Sequence, residues 1–550
     1  MDAEQRGFFM STDLKHAALH AKQKPRVYLK KITFNDKTQL SLERNSIIVF
    51  TGANNSGKSQ VLKDIETCLN ASCLSPAIIA KSCEYDFQGE IDEDLFLANH
   101  FLRDTDGCYE PFELDDPFIS ADSFDITSLR SCWQTQTLKK GLHRLFIKRL
   151  CTESRLKLSN TLDRNFDANK HPVYKLYTNQ KLSQKLSGYF HQAFDTDLIV
   201  NRNELRKIPL HVGQAPDTDS FTISQMDDYQ AQVEILPMLQ EQGDGMRSFT
   251  SILLDTFTSD YPITLIDEPE AFLHPPQARL LGKMLVRNNS DDRQLLISTH
   301  SEDFLQGLLD AENRNVTVIR NHRENNINKM NILKNESIQE LWGKPLLRYS
   351  NILSGLFHQK VVVCESDYDC LFYQAILNAI YEQKNEIAPD VLFTHCGGKD
   401  RIKDVVKALK AVNVPVVAIC DFDLLNNRQT FQAISQAFGL NWDTELSAEM
   451  TVIYDYMNGK SNGGQKAWAE IKQTGKSGFS GKAYLAYDKV ETMCRVKGLF
   501  VVPVGEMECF DKTILKEKKE WVYHVLGNYN LAVEPNLKGA REFVQSIIDY

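Results

Sequence analysis

The chain has 550 residues, of which 42% are hydrophobic and 25% charged, a balance typical of a globular protein with about three domains. Its formal net charge of −10 excludes a uniformly basic coat for nucleic acid, so any such contact needs a local patch or channel. No run of about 18 apolar residues predicts a membrane span, and the amino terminus lacks the apolar core of a secretory signal. We therefore expect a cytoplasmic protein with no membrane partner.

The first structured segment is predicted to begin after a tail at residues 1–25. RVYLKKITF, from Arg26, alternates as a strand does, and SIIVF at residues 46–50 is typical of a buried strand. The octapeptide GANNSGKS then satisfies the pattern G-x-x-x-x-G-K-[ST] and leads into the helical QVLKDIETCL. We expect this loop to bind the phosphates of ATP through Gly52, Asn54, Asn55, Ser56, Gly57, Lys58 and Ser59.

Each part of this loop has a physical role in binding phosphate. The glycines allow backbone N–H groups to approach phosphate oxygens, and the helix N-terminus adds a partial positive charge. We expect Lys58 to reach the β- and γ-phosphates and Ser59 to ligate Mg²⁺. The position of the motif between a strand and a helix makes it a strong indication of a nucleotide site.

Residues 83–235 carry no nucleotide motif, and we expect a mainly helical insertion there, for dimerisation or for partner binding. The segment LKKGLHRLFIKRL, at residues 138–150, is the best local candidate for contact with a polyanion. The same pattern fits an amphipathic helix with a solvated basic face, and we favour that interpretation.

Two motifs that fit an ATPase follow this insertion. ITLIDEPEAFLHP is an apolar strand ending in Asp267, expected to support Mg²⁺, and Glu268, expected to polarise the attacking water. The strand LLI leads into S-T-H, which makes His300 a candidate contact of the γ-phosphate. An acidic pair or a histidine at a strand end is often only structural, so the P-loop is the main evidence for an ATPase.

The order of these motifs resembles the ABC-type ATPases of the OLD/RecF/SMC-like group, over roughly residues 26–320. The resemblance implies that the turn GDGMRS, with Gly245 and Ser248, corresponds to the signature loop that caps the ATP of a second protomer. The turn departs from the pattern L-S-G-G-Q, and a glycine turn before a helix also has a purely structural interpretation.

A second α/β unit is predicted after a boundary near residues 345–355. Strands at 361–363, 391–394 and 416–419 alternate with helices at 370–381 and 402–411, which predicts a parallel sheet. The predicted fold class is thus α/β. An ABC-type P-loop ATPase domain with a helical insertion precedes a parallel-sheet α/β domain, with these bounds: 26–82 and 236–345 for the ATPase, 83–235 for the insertion and 350–550 for the second domain.

Acidic residues follow the ends of strands in this second unit. Glu365 ends the first strand, Asp369 lies four residues later, and Asp421 and Asp423 end another strand. Because parallel strands end at one edge of a sheet, we expect Glu365 to lie beside the other two. Several ionised carboxylates stay close only with a compensating cation, and hard oxygen ligands suit Mg²⁺ or Mn²⁺.

This E…D-x-D arrangement, with the glycine turn GGKD at 397–400, resembles the TOPRIM fold of topoisomerases, primases and OLD nucleases. The resemblance to OLD nucleases implies a two-metal site that Asp369 and a third acidic motif complete. Glu508 is the candidate in that motif, ahead of Glu506. It also implies a catalytic lysine further on, for which we choose Lys538 over its rivals Lys512, Lys516, Lys518 and Lys519.

An ATPase followed by a TOPRIM domain is similar to the OLD family, many of whose members act in prokaryotic anti-phage defence. The resemblance implies an ATP-regulated, metal-dependent nuclease that cleaves DNA, with RNA as the alternative, in a homodimer or larger assembly. A defence-operon partner, such as a retron reverse transcriptase with its DNA or RNA, fits this context, although no residue specifies one.

Two other functions remain open. A TOPRIM topoisomerase or primase would need a strand-cleavage domain around a nucleophilic tyrosine or a cysteine zinc site, and the sequence suggests neither. An SMC-like, ATP-gated scaffold would bind nucleic acid without cleaving it. The set of carboxylates, which includes Glu365, Asp369, Asp421, Asp423 and Glu508, favours the nuclease over the scaffold.

Overall fold

The computed structural model divides the chain into two compact units, Met1–Asn335 and Glu336–Tyr550, and each is described by itself. The predicted tail lies almost wholly outside the described part of the chain. The structure describes residues 24–70, 76–91, 97, 101–103, 106, 108–111, 124–139, 142–164, 171–216, 223–311, 315–325, 327–333, 353–459, 467–516 and 518–550.

The two units contain both strands and helices, numbered here in chain order. The strands are β1 (Arg26–Phe34), β2 (Gln39–Ser41), β3 (Ile47–Thr51), β4 (Ala80–Gln88), β5 (Phe101–Arg103), β6 (Tyr109–Pro111), β7 (Ile147–Leu150), β8 (Leu162–Asp163), β9 (Asp197–Val200), β10 (Lys207–Ile208), β11 (Leu210–Gly213), β12 (Ile263–Asp267), β13 (Gln294–Ser298), β14 (Val316–Glu324), β15 (Ile327–Leu333), β16 (Lys360–Cys364), β17 (Val391–His395), β18 (Val416–Cys420) and β19 (Leu499–Val501). The α-helices are α1 (Lys58–Leu69), α2 (Ile126–Gln134), α3 (Thr152–Leu158), α4 (Pro172–Thr178), α5 (Gln180–Phe194), α6 (Ile223–Glu234), α7 (Asp244–Thr258), α8 (Pro275–Arg287), α9 (Glu302–Leu309), α10 (Asp367–Lys384), α11 (Ile402–Ala411), α12 (Arg428–Ala437), α13 (Ser447–Asn458), α14 (Ala467–Thr474), α15 (Gly481–Arg495), α16 (Lys518–Asn528) and α17 (Lys538–Asp549).

The first unit is built on a six-stranded sheet with the order β15-β14-β3-β13-β12-β7. Only the β14–β15 pair is antiparallel. Every residue of β3 and β13 is buried, which explains why both strands read as short continuous apolar runs. Because β3, β13 and β12 run in parallel, the P-loop after β3 and the acidic motif after β12 leave the same edge of this sheet.

A smaller antiparallel sheet of the same unit, with the order β2-β1-β4, is joined to the central sheet by Gln294. The Leu29 N–H donates to Gln294 Oε1 at 2.8 Å, and Gln294 Nε2 donates to the carbonyls of Leu29 and Glu43 at 2.7 and 2.8 Å. Gln294 is buried. Its side chain therefore satisfies three backbone groups that would otherwise be left without partners.

The described part of residues 83–235 contains helices α2 to α6 and several short strands, so helix predominates there but strands are present as well. The basic segment at 138–150 is not an amphipathic helix: it forms a 3₁₀ turn and then β7, at the edge of the central sheet. Lys148 and Arg149 of β7 form ion pairs with Asp255 and Glu66, 2.6 and 2.7 Å away. Pairing with the apolar strand β12 thus outweighs the helical periodicity, and these two cations are neutralised within the unit.

The second unit contains a four-stranded sheet with the order β17-β16-β18-β19, and every pair in it is parallel. This confirms the predicted parallel α/β arrangement, and the helix predicted at 402–411 is α11. Helices α10, α16 and α17 cover a core that includes Phe372, Trp521 and Phe543. Among the helices that the structure describes, none is long and apolar enough to cross a membrane.

Replacing Gln294 with leucine should lower the free energy of unfolding by about 3 kcal/mol, because three backbone groups lose their partner inside the protein. Equilibrium unfolding in urea measures the change. Gln306→Leu is the matched control: the Gln306 side chain donates to Glu302 one turn earlier on α9, and its loss should cost less than about 0.5 kcal/mol. Equal effects of the two variants would show that Gln294 does not join the sheets.

Candidate functional site

The P-loop is folded as a phosphate cradle at the start of α1. Gly52, Asn55 and Gly57 have φ angles of 140°, 62° and 91°, in the region that favours glycine. Lys58 Nζ donates to the carbonyls of Gly52 and Ala53 at 2.9 and 3.0 Å. Burial lowers the pKa of Lys58, and the carboxylates of Glu268, Glu270 and Asp267 act in the opposite direction.

The β14–β15 hairpin supports this loop from one side. Asn321 Nδ2 donates to the Ser56 carbonyl at 2.7 Å, and Asn328 Nδ2 donates to the same oxygen. A Cβ at Gly52 would lie 2.0 Å from the Asn321 carbonyl oxygen, so this approach requires glycine. Asn54 and Asn55 are exposed, Ser59 is half-buried, and the buried Ser56 hydroxyl has no hydrogen-bond partner among the described residues.

The acidic motif follows β12, which is separated from β3 by β13 in the central sheet. The cross-strand register aligns Asp267 with Ser298 and Ser298 with Phe50, the residue before Thr51 and the P-loop. The Ser298 hydroxyl donates to Asp267 Oδ1. Glu268 has a φ of 49°, and its N–H donates to the Ser298 carbonyl at 3.0 Å. Both carboxylates are thus held at the edge of the sheet from which the P-loop emerges.

Two residues that the sequence did not single out stabilise this edge of the sheet: Arg155 bonds to the acidic pair, and Glu270 bonds to the S-T-H motif. Arg155 of α3 is 0% exposed, and its guanidinium donates to the carbonyls of Asp267 and Glu268 at 2.6 and 3.1 Å. Glu270 accepts from the Thr299 hydroxyl at 2.8 Å and from the His300 N–H at 2.9 Å, and burial raises its pKa. His300 Nδ1 lies 3.4 Å from Glu268 Oε1, so the predicted base and the predicted γ-phosphate contact are neighbours.

The signature-like turn is placed differently from the expectation for Ser248. Gly243 caps α7 and Gly245 lies in its first turn, where a Cβ would lie 2.6 Å from the Phe272 carbonyl oxygen. Ser248 is 0% exposed on the buried face of that helix. A buried hydroxyl is not presented to nucleotide on another protomer, which argues against the role expected of Ser248, whereas Gly243 is exposed and Gly245 is half-buried at the start of the helix.

In the second unit the sheet brings Glu365 and Asp421 together. Each follows the end of a parallel strand, β16 or β18, and the Asp421 N–H donates to Glu365 Oε1 at 3.1 Å. Burial raises the pKa of Glu365 to about 7. The pKa of Asp421 is also raised well above its usual value, first by burial and then by the charge of Glu365. The ionised pair is therefore unfavourable without a cation.

Asp369 and Glu508 border this pair from two other elements. Asp369, in the first turn of α10, accepts from the N–H and hydroxyl of Ser366 at 2.9 and 3.0 Å. Burial raises its pKa, and the charge of Glu508 acts in the same direction. Glu508 Oε1 accepts from the Lys518 N–H at 2.6 Å. We define these carboxylates as the acidic cluster, with the members Glu365, Asp369, Asp421, Asp423, Glu506 and Glu508.

The side chains of two lysines contact the acidic cluster, and neither is the one chosen from the sequence. Lys399, from the turn GGKD, lies 2.6 Å from Asp423 Oδ2, and Lys472 of α14 lies 2.8 Å from Glu506 Oε1. Lys538 instead lies 3.7 Å from Glu542 on its own helix, and its side chain is 75% exposed. Within the described residues, the structure shows no contact between Lys538 and the acidic cluster, so the choice of Lys538 stays a prediction.

The carboxylate oxygens of the acidic cluster suit a divalent cation, although the side chains are not already arranged around one metal position. Within the described residues, no three His, Cys, Asp or Glu side chains converge on one metal position. Asp423 Oδ1 is buried without a hydrogen-bond partner, and Glu365 and Asp421 repel each other. Both observations favour a cation with oxygen ligands. Because Asp369, Asp423 and Glu508 have other partners, binding would require side-chain rotations.

Comparison with known families defines the class of protein to which these two units belong. Residues 47–305 match a family model described as "AAA domain, putative AbiEii toxin, Type IV TA system", and residues 356–423 match one described as "Overcoming lysogenization defect protein-like, TOPRIM domain". The chain is thus an ATPase–TOPRIM fusion. It has the domain organisation of the OLD family, as the motifs predicted.

One curated relative is the Old nuclease of Escherichia phage P2, which is 26% identical over 174 residues. That match covers 30% of this chain and spans 28% of the length of the relative. The similar solved structures include an SMC head bound to the C-winged helix domain of ScpA, with 13% identity, a TM-score of 0.34, and coverage of 56% of this chain and 99% of that one. Another is the SMC head domain from Thermotoga maritima, with 10% identity, a TM-score of 0.28, and coverage of 56% and 98%.

Replacing Arg155 with methionine should lower the rate of ATP hydrolysis by about 100-fold, because the backbone that carries Asp267 and Glu268 loses its anchor. Nucleotide affinity should change much less, since the P-loop is untouched. Arg202→Met is the matched control: that guanidinium also donates to two carbonyls, of Leu176 and Tyr177, and hydrolysis per folded molecule should be retained. A parallel loss of binding and hydrolysis in Arg155→Met would contradict the positioning role.

Glu365→Gln and Asp421→Asn should each stabilise the metal-free protein. Because the folded-state pKa of Glu365 is raised from 4.5 to about 7, the metal-free protein loses stability as the pH rises through that range. At pH 8 with a chelator, each variant should unfold about 2–4 °C above wild type for every 1 kcal/mol of repulsion removed. Mn²⁺ should stabilise wild type more than either variant, and Glu382→Gln, an exposed acid, should match wild type. An unchanged response to Mn²⁺ would rule out these residues as ligands.

Proposed function

We propose that this protein is an ATP-binding and ATP-hydrolysing nuclease that needs a divalent metal ion to cleave nucleic-acid phosphodiester bonds. The observation that carries this proposal is the acidic cluster, in which buried carboxylates with raised pKa values come together at the ends of parallel strands. Burying like charges is unfavourable unless a ligand compensates them. A scaffold that only holds nucleic acid has no need of such a cluster, because phosphate contact requires positive charge.

The proposed cleavage site assigns a role to each part of the acidic cluster. Glu365, Asp369, Asp421, Asp423 and Glu508 would hold Mg²⁺ or Mn²⁺, which when bound supplies an activated water and stabilises the charge of the cleaved phosphate. Lys399 and Lys472 add positive charge beside these acids, at a position where the phosphate of a substrate would lie. Lys538, the lysine that the resemblance implies, is exposed and is given no contact in this site.

The proposed ATPase site uses the residues at the edge of the first sheet. The P-loop, from Gly52 to Ser59, and Lys58 would hold the phosphates, while Ser59 and Asp267 would support Mg²⁺. Glu268 would orient the attacking water, and the nearby His300 would contact the γ-phosphate. The accessible turn at Gly245 would meet nucleotide held by a second copy of the chain.

We further propose that nucleotide occupancy controls cleavage without driving it. Phosphodiester hydrolysis is already downhill, so ATP is not needed as an energy source for bond cleavage. The two sites lie in separate units of the chain, and ATP would therefore act by favouring one arrangement of units or protomers over another. A homodimer or larger assembly, DNA as substrate and a cytoplasmic role in anti-phage defence complete the proposal. The OLD-like TOPRIM match supports nucleic acid as the substrate, whereas the assembly, the location and the defence role rest on the resemblance of the motifs alone.

The experiment measures cleavage of plasmid, linear DNA and tRNA by purified full-length protein with Mn²⁺, across a range of ATP concentrations. Wild type should cleave at least one substrate. Glu365→Gln and Asp421→Asn should lose cleavage by about 100-fold or more while retaining ATP hydrolysis, because each removes a metal ligand in the other unit. Undiminished cleavage by both variants would favour the non-cleaving scaffold, with a contaminant as the source of activity.

The same assay tests nucleotide control with two variants of the ATPase site. Lys58→Ala should lose nucleotide binding, and Glu268→Gln should bind ATP but hydrolyse it slowly, so the two variants mimic the empty and the occupied states. At intermediate ATP concentrations, one variant should therefore cleave faster than wild type and the other more slowly. Free metal is held constant to exclude chelation by ATP. Identical, flat profiles for the three proteins would show that the sites are not coupled.

A further inference from the structure

A cavity of 430 Å³ in the second unit opens beside the acidic cluster. Asp423 belongs both to the cluster and to the wall of the cavity. The other charged or aromatic lining residues are Lys399, Arg428, Trp468 and Lys472, and three residues with side-chain amides lie between 426 and 429. Cations, an aromatic ring and amide groups thus converge next to the proposed cleavage site, in a chain whose net charge is negative.

One wall of this cavity is provided by α14. Trp468 and Lys472 are one turn apart and therefore lie on the same face of that helix. Two glycines allow the helix to pack closely on the loop that carries Glu506: a Cβ at Gly505 would lie 2.3 Å from the Lys472 carbonyl oxygen, and one at Gly475 would lie 2.2 Å from the Pro503 carbonyl oxygen. This packing fixes the aromatic ring and the lysine next to the acidic cluster.

Arg428 differs from the two lysines of the cavity. Lys399 and Lys472 are each paired with an acid, whereas Arg428 is exposed, and no carboxylate of the described residues contacts it. Its guanidinium lies 5.6 Å from the Trp442 ring centre and 6.0 Å from that of Tyr454, which restricts its orientation. Its N–H donors are therefore available to a phosphate, which arginine binds well.

We propose that this cavity binds one unpaired nucleotide of the substrate strand, next to the phosphodiester that is cleaved at the acidic cluster. The base would stack on Trp468, the phosphate would contact Arg428 and Lys472, and the amide groups would meet the base edge. The volume lies in the range of about 300–1,000 Å³ found for sites of single small ligands, which leaves no room for a duplex. The proposal rests on the proposed nuclease function and specifies its substrate: a single strand, or a duplex with an unpaired or frayed nucleotide.

Binding of fluorescent oligonucleotides by the full chain, with Ca²⁺ replacing Mn²⁺ to slow cleavage, tests this cavity. Trp468→Ala should weaken binding of a single-stranded 12-mer by about tenfold, as expected for the loss of one stacked base, and leave a blunt duplex unaffected. Trp468→Phe should retain most of the affinity, which separates stacking from a folding defect. Arg428→Gln should reduce the slope of log affinity against log salt by about 0.7, the value for one phosphate contact on a single strand.

The controls are Tyr484→Ala, which removes a 40% exposed ring of the same unit outside the cavity, and Lys482→Gln, which removes an exposed cation. Both should bind as wild type does. Equal weakening of single strand and duplex by Trp468→Ala would overturn the proposal. So would tight binding of a free nucleoside monophosphate, as strong as that of the 12-mer, since it would indicate a small-molecule site.

Cleavage in the presence of Mn²⁺ separates the failure of this proposal from the failure of the proposed function. Trp468→Ala should raise the KM for single-stranded substrate by about tenfold with little change in kcat, because its effect is on binding. If wild type cleaves and Trp468→Ala has no effect, the proposed nucleotide site is wrong and the proposed nuclease function stands. If wild type does not cleave but its binding of single strands still depends on Trp468, the nucleotide site stands and the proposed nuclease function is wrong.

Discussion

Parallel strand pairing is the constraint on which both candidate sites depend. A parallel sheet brings the carboxyl ends of neighbouring strands to one edge, so residues far apart in the chain become neighbours. In the first unit this pairing aligns Asp267 with Ser298 and Ser298 with Phe50. In the second it places Glu365 within hydrogen-bond distance of the Asp421 N–H. Side-chain contacts refine these positions but do not create them.

The two sheet edges differ in how far their buried charges are balanced by neighbouring groups of opposite sign. In the ATPase unit, Lys58 and Arg155 lie among Asp267, Glu268 and Glu270, so positive and negative charges offset one another before any ligand binds. In the TOPRIM unit, Lys399 and Lys472 contact acids at the margin, while burial and mutual repulsion raise the pKa values of Glu365 and Asp421. The first edge is suited to bind an anion together with its metal ion, and the second is suited to bind a cation. This difference matches the two chemistries proposed for them.

Several features of the chain were predictable because their signals are local. The P-loop pattern needs only eight consecutive residues, and the strands β3, β13, β16 and β18 are short apolar runs. The α/β alternation of residues 361–419 predicted a parallel sheet, and the structure confirms it. Local periodicity was misleading at residues 138–150, where β7 pairs with β12 and tertiary contacts override the helical pattern.

The sequence by itself determined which strands end in acidic or phosphate-binding residues and that two α/β units follow each other. It could not identify Arg155, whose bond to the Asp267 carbonyl joins residues 112 positions apart, nor the burial of Ser248. It could not choose among the lysines either, since Lys472 meets Glu506 only because Gly475 and Gly505 allow α14 to pack closely. Hydrophobic periodicity and the local tendency to form helices or strands are properties of short segments, so they can be recognised in the sequence. Which distant side chains share a site depends on packing between elements, and only the tertiary structure decides that.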